Sequence, residues 1–204
     1  MNLTYKIISG FYDLIDVIYF RKDVTNPRKA IVNYIPDEKV RVLDICTGTA
    51  SNSILIAKQK RKAKVLGIDI SKDMLRIANE KIQKSGVKNL KAKYADATNT
   101  KLGTGSVDII VISLVLHELS KDLADKILSE AGRILKPDGK VIVLEWEQPT
   151  DFLKKVLFLP LLLLEPKGFR KFLHNDKKSY FAEHGFNVKS MKHCDYSCVY
   201  ELTK

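Results

Sequence analysis

The chain has 204 residues, of which 45% are hydrophobic and 29% charged, with a net charge of +11 and three cysteines. That length is one domain's worth and buries a core without metals or crosslinks, and the composition excludes a disordered or collagen-like chain. Three cysteines are too few for a disulfide framework, so a reducing cytoplasm is expected, and the nine-residue apolar run Val156–Leu164 is too short to cross a bilayer.

The first 20 residues carry Lys6, Asp13 and Asp16, which leaves no signal-peptide core. Tyr5–Phe20 reads as an amphipathic helix and Pro27–Tyr34 as a second, so residues 1–36 are expected to form a helical cap. Val40–Ile45 is the first strand. It runs into the small-residue turn Cys46-Thr47-Gly48-Thr49-Ala50 and a helix over Ser51–Lys60. Small side chains let a ligand approach backbone amides at a helix start. The turn lacks the Gly-Lys-Ser/Thr ending of a P-loop, and its spacing of two between Cys46, Gly48 and Ala50 is not Gly-x-Gly-x-x-Gly. Alone, it fits any tight strand–helix turn equally well.

Lys64–Ile70 predicts the second strand, closing on Gly67-Ile68-Asp69-Ile70-Ser71. A carboxylate at that strand end can accept both hydroxyls of an unphosphorylated ribose. Capping is the alternative role for Asp69, but Ser71 and Asp73 are better placed to start the helix Asp73–Ser85. Leu90–Tyr94 is the third strand, followed by Asp96 in Tyr94-Ala95-Asp96-Ala97, a carboxylate that can accept from an adenine amino group. Across Lys58–Lys101 thirteen Lys/Arg stand against four Asp/Glu. Only Tyr94 is aromatic among them, so a solvated basic face is expected and nucleic acid is not, because such sites add stacking rings.

Val107–Leu114 has the near-continuous hydrophobicity of a strand buried on both faces. Ser113 ends it, and Leu114-Val115-Leu116-His117-Glu118-Leu119 follows. His117 is the candidate general base, since an unperturbed imidazole titrates near about pH 6.5. A loop or helix-capping histidine is the alternative, with Glu118 either orienting it or facing solvent. Lys121–Leu135 reads as a helix that Lys136-Pro137-Asp138-Gly139 stops and turns into the strand Lys140–Trp146. Residues 147–166 form an insertion expected to act as a lid. Its Lys154-Lys155 pair and Leu-rich block can pack on the core, line an apolar acceptor site or touch a membrane interface.

A final helix is expected over Lys167–His184, then strands Phe186–Met191 and Tyr196–Leu202. Only His193–Asp195 clearly separates these last strands, too few residues for a parallel crossover, so they should form an antiparallel hairpin. His193, Cys194, Asp195 and Cys198 lack a second cysteine pair, and no metal site is expected.

Strands alternating with helices predict a single α/β domain over residues 1–204. Its sheet is Rossmann-like, doubly wound and mostly parallel, with seven strands, an antiparallel C-terminal hairpin and helices on both faces. Ligands bind such sheets at the strand carboxyl ends, where the three edge segments should meet. Val42-Leu43-Asp44-Ile45-Cys46-Thr47-Gly48-Thr49-Ala50, Gly67-Ile68-Asp69-Ile70-Ser71-Lys72-Asp73-Met74-Leu75, Ala95-Asp96-Ala97 and Arg133-Ile134-Leu135-Lys136-Pro137-Asp138-Gly139-Lys140-Val141 together resemble the class I S-adenosylmethionine-dependent methyltransferases. Phe11-Tyr12-Asp13, the first turn and Leu144-Glu145-Trp146-Glu147-Gln148-Pro149 are similar to the ubiquinone/menaquinone C-methyltransferase branch.

The resemblance implies S-adenosylmethionine as cofactor. By it, Gly48 and Thr49, with Cys46 in the same turn, would pass the methionine moiety. Asp69 would take the ribose with Ile70 beside it, and Asp96 and Ala97 the adenine. Asp44 would orient the turn, Ser113 would flank the cofactor and Tyr12 would close over it. Ala50 stands where the family has a glycine and is expected to crowd the cofactor path slightly; the segment after Pro149 is shorter than in the quinone enzymes. The expected function is methyl transfer to a small, apolar or lipid-like acceptor, with peripheral membrane contact through residues 154–166. A methyltransferase for a polar small molecule, a non-catalytic S-adenosylmethionine-binding module and a nicotinamide-dependent dehydrogenase are the alternatives. Turn spacing and the hairpin disfavour the last. No Asn/Asp-Pro-Pro-aromatic segment follows the fourth strand, which disfavours amino-methylating enzymes of nucleic acid bases.

Overall fold

Strands β1 (Arg41–Ile45), β2 (Lys64–Asp69), β3 (Leu90–Tyr94), β4 (Val107–Ser113), β5 (Leu135–Trp146), β6 (Asn187–His193) and β7 (Ser197–Thr203) make one sheet of order β3-β2-β1-β4-β5-β7-β6. The computed structural model describes residues 19–20, 22–164 and 167–204. Tyr12 and most of the expected Tyr5–Phe20 helix lie outside them. β1 to β5 are mutually parallel, while β7 runs antiparallel to both β5 and β6. The strand order reverses at β1, between β2 and β4, so a crevice opens at the carboxyl ends of these strands. The doubly wound sheet and the terminal hairpin are as the sequence predicts.

Helices α1 (Pro27–Asn33), α2 (Ser51–Gln59), α3 (Lys72–Ser85), α4 (Lys121–Ile134), α5 (Phe152–Leu164), α6 (Lys167–His174) and α7 (Lys177–Ala182) surround the sheet. Successive strand residues point to opposite faces, and β4 shows the result. Ile109 and Val111 pack with Ile31 of α1 and Ile56 of α2, whereas Ile110 and Ile112 pack with Leu128 and Ala131 of α4 and Phe181 of α7. A third cluster, of Tyr19, Phe20, Trp146, Phe158, Leu161, Phe169 and Tyr196, gathers the first described residues, the end of β5 and helices α5 and α6.

Two boundaries differ from the sequence reading. The expected helix Lys167–His184 is two helices, because the Asp176 carboxylate accepts from Lys178 N and Ser179 N and so caps a new start. The expected turn at Lys136–Gly139 is a bulge within β5. Val107 pairs with Leu135 and Ile109 with Lys140, so four residues oppose Asp108 alone, and the Lys136 ammonium sits on its carboxylate.

Candidate active site

The turn after β1 is held from below by two carboxylates. Asp44 is 1% exposed, and its Oδ2 accepts from Thr47 Oγ1 at 2.7 Å and from Ser53 Oγ at 2.5 Å. Its Oδ1 has no hydrogen-bond partner among the described residues, and burial pushes its pKa above the ordinary aspartate value. Asp69 Oδ2 accepts from Gly48 N and its Oδ1 from Ser71 N, both at 2.8 Å. Asp69 therefore ties the first turn to the start of α3, a task not expected from the sequence. Gly67 is small for a definite reason: a Cβ there would lie 2.8 Å from Thr47 Oγ1.

The turn reverses sharply through left-handed residues at Cys46 (φ 55°), Gly48 (φ 55°) and Ala50 (φ 62°). Ala50 is fully buried at the start of α2. Its departure from glycine thus acts through the backbone, where an L-residue in this region costs about 1–2 kcal/mol.

Four carboxylates converge on this edge. The half-buried Cys46 thiol is pushed up to about 12, first by burial and then by Asp69, Asp44, Glu118 and Asp96. Asp96 is exposed and its Oδ1 accepts from Thr98 N and Oγ1, both at 2.8 Å, which lowers its pKa. Beside these acids stand bare apolar surfaces: Ile70 is 63% and Tyr94 56% exposed, while Ala97 is buried. With Arg28 acting on Asp44 and Lys81 beside Thr49, the crevice offers both signs of charge next to a flat apolar surface, which suits a zwitterionic ligand carrying a ring.

His117 lies one loop beyond β4 and is almost wholly buried. Its Nδ1 is 2.6 Å from Glu145 Oε2, and Glu145 Oε1 accepts from Val115 N at 3.1 Å and Leu116 N at 2.8 Å. A carboxylate accepts only, so Nδ1 carries a proton, and in the neutral imidazole Nε2 is then the atom with the lone pair. Nε2 lies 3.8 Å from Glu118 Oε1. Phe169 packs edge-on against the imidazole at 5.1 Å. Next to it is a cavity of about 490 Å³ lined by Leu116, His117, Leu119, Ala124, Phe172 and Tyr180, with Lys121, Lys171, Asp176 and Glu183 also among its lining residues.

Comparisons with known proteins agree with this geometry. Residues 42–139 match a family model described as a methyltransferase domain. The demethylmenaquinone methyltransferase of Lactobacillus johnsonii is 36% identical over 140 residues, covering 68% of this chain and 56% of that protein. The one of Bacillus velezensis is 28% identical over 190 residues, covering 92% and 81%. A crystal structure of an S-adenosylmethionine-dependent methyltransferase from Aquifex aeolicus superposes with a TM-score of 0.73 at 22% identity, covering 98% of each chain. Residues 42–139 therefore carry a methyltransferase domain, on a fold shared with the Aquifex aeolicus structure.

Around this domain's turn the structure adds residues that the motifs do not mark. Asn52 Nδ2 donates to Ser113 Oγ at 2.6 Å, and the Arg28 guanidinium donates to Asn52 Oδ1, with its charge felt at Asp44. Arg28, Asn52 and Ser113 therefore bridge α1, α2 and β4 across the crevice. Thr49 is buried, with Lys81 Nζ 3.4 Å from its Oγ1. Glu145 is the other addition; a fully buried glutamate is signalled in the sequence only by its place in an apolar strand. In α5, Phe158 and Leu161 are buried, whereas Val156, Leu157, Leu159 and Leu163 are exposed. Glu147, His193 and Cys198 offer ligand atoms within 4.8 Å of one another. Burial pushes the Cys198 thiol up to about 12.

Proposed function

We propose that the chain transfers the methyl group of S-adenosylmethionine to a carbon of a small, apolar, quinol-like acceptor. The observation that carries the cofactor half is the pair of carboxylates built into the Cys46–Ala50 turn, Asp44 accepting from Thr47 and Ser53 beneath it and Asp69 accepting from Gly48 N and Ser71 N. Asp69 retains lone pairs beyond those used on Gly48 N and Ser71 N, and these accept the ribose hydroxyls. Ile70 and Tyr94 cover an adenine ring, with Asp96 at its amino edge. Arg28, steadied on Asn52, supplies the positive charge for the amino-acid carboxylate, and the acidic turn receives the ammonium.

Bound S-adenosylmethionine supplies an electrophilic methyl group on a sulfonium. The protein's share is alignment, exclusion of water and removal of a proton. A quinol carbon becomes nucleophilic as its neighbouring hydroxyl loses a proton to His117 Nε2, and once that carbon carries the methyl group its own hydrogen leaves as a proton and the ring hydroxyl is restored. Glu145 holds the imidazole in the tautomer that can accept the hydroxyl proton and steadies the cation that results. The cavity beside His117 seats the acceptor, its Leu116, Leu119, Ala124 and Phe172 walls suiting an apolar ring. The names of the matched relatives support a quinone-like acceptor, and an acceptor with a long apolar tail resides in a membrane.

Calorimetry and a methyl-transfer assay with a tail-less naphthoquinol test this. S-adenosylmethionine and S-adenosylhomocysteine should bind and NADH should not, and the quinol should gain one carbon-bound methyl group. Binding of NADH without S-adenosylhomocysteine would sink the cofactor assignment. Tight cofactor binding with no methylated quinol of any kind would instead favour a polar acceptor or a non-catalytic module.

A further inference from the structure

Helix α5 is apolar on both sides. Phe158 and Leu161 are buried in the cluster with Trp146, Phe169 and Tyr196, whereas Phe152, Leu153, Val156, Leu157, Leu159 and Leu163 are between 47% and 78% exposed. At 100° per residue these six positions span an arc of about 160°. A helix that is apolar all round belongs in surroundings that cover every side, and a contiguous patch of this kind marks an interaction surface.

The nearby charge selects the occupant. Neither α5 nor α6 contains an acidic residue. Lys155 on α5 and Arg170 and Lys171 on α6 are exposed, while α6 turns Phe169 and Phe172 inward. Lys154 is engaged differently: its Nζ is 2.6 Å from Asp195 Oδ1, which fastens α5 to the β6–β7 turn. A second copy packed two-fold on this face would bring the same cations together. With 13 residues, α5 is about 20 Å long, against roughly 30 Å of bilayer hydrocarbon, and among the described residues no helix is long and apolar enough to cross a membrane. At a bilayer, a helix of this length lies in the plane of the interface.

We propose that α5 docks the protein on an anionic lipid bilayer. Its Phe152–Leu163 face enters the acyl boundary, and Lys155, Arg170 and Lys171 meet the headgroups. The proposal extends the lipid-like acceptor reading and rests on that reading for its purpose, though not for its geometry. Docked this way, α5 and α6, the latter packed on His117 through Phe169, would face the phase where a tailed acceptor dissolves.

Sedimentation with phosphatidylcholine vesicles, with and without phosphatidylglycerol, tests it on the full chain. The wild type should bind the anionic vesicles and only weakly the neutral ones. Leu153→Asp combined with Val156→Asp should weaken that binding about 100-fold or more. Its melting temperature, S-adenosylhomocysteine affinity and methyl transfer to a tail-less quinol should stay at wild-type values, since both side chains are exposed. A wild type indifferent to both vesicles, or a double variant that binds as well as wild type, overturns the proposal. So does a wild-type dimer that the double variant converts to monomer without any vesicle binding. Vesicle binding that is intact while no quinol is methylated supports the docking surface and refutes the acceptor reading instead.

Discussion

Glu145→Gln separates the chemistry of the His117 loop from its architecture. Glu145 is fully buried and meets three donors: Val115 N, Leu116 N and His117 Nδ1. Glutamine keeps one oxygen for the two amides but turns its second group into a donor facing Nδ1–H. The conflict resolves when the imidazole moves its proton to Nε2 and lets Nδ1 accept. The fold loses one charge-assisted bond and keeps a neutral one, a cost of about 1–2 kcal/mol, or about 2–8 °C in melting temperature for a chain of this size. The reaction loses its base, since Nε2 is now a donor, and turnover should fall about 10²–10⁴-fold. Glu145→Ala is a contrasting case. It leaves three buried donors without an acceptor, about 1–3 kcal/mol each, which approaches the whole stability of a domain. The assay is turnover with the tail-less quinol against pH, with S-adenosylhomocysteine affinity and the histidine tautomer, by nitrogen-15 NMR, measured on the same sample. The expected result is lost turnover, retained affinity and a protonated Nε2. Wild-type turnover in Glu145→Gln, with the tautomer shown to have switched, would refute the assignment of His117 as base.

Three further outcomes follow from other parts of the molecule. Ala50→Gly should stabilise the fold by about 1 kcal/mol in urea titrations, because it relieves a left-handed alanine (φ 62°) at little packing cost; a loss of stability would show that Ala50 Cβ packing outweighs the strain. Glu130 is held down to about 2, chiefly by its bonds to Arg133 and also by those from Thr100. Its folded pKa lies below the ordinary 4.5. Its contribution, about 3 kcal/mol by linkage, is therefore complete above pH 4.5 and lost as pH falls towards 2. Glu130→Gln should be less stable than wild type at pH 7 and lose less on acidification to pH 3, and equal losses in the two proteins would refute the pairing. The thiols of Cys46 and Cys198, both pushed up to about 12, should resist iodoacetamide at pH 8 in the native protein and react fully in urea. Rapid native labelling of Cys198 would contradict its burial.

Much of this was legible along the chain because it is local. Alternation and apolar runs determined β4, and the short spacing around His193–Asp195 determined the antiparallel hairpin, since neither depends on distant residues. The edge segments were legible as well, because a strand end followed by a small-residue turn places Asp44, Asp69 and Asp96 on one rim wherever the sheet is parallel. Helix interruption at Asp176 was missed, although the signal was present: an aspartate three residues before Ser179 is a cap. What Asp69 does for Gly48, how Arg28 reaches Ser113 through Asn52, and which acid sets the tautomer of His117 depend on crossovers that bring together residues 21, 24 and 61, and 28 positions apart. The same holds for α5. Its leucines are equivalent in the sequence, and only its packing against Trp146 and Tyr196 decides that Phe158 and Leu161 face the core while Leu153 and Leu163 face out. Hydrophobic periodicity tells a helix what it must bury. The number of its sides that find protein is settled by the neighbours that the tertiary fold supplies.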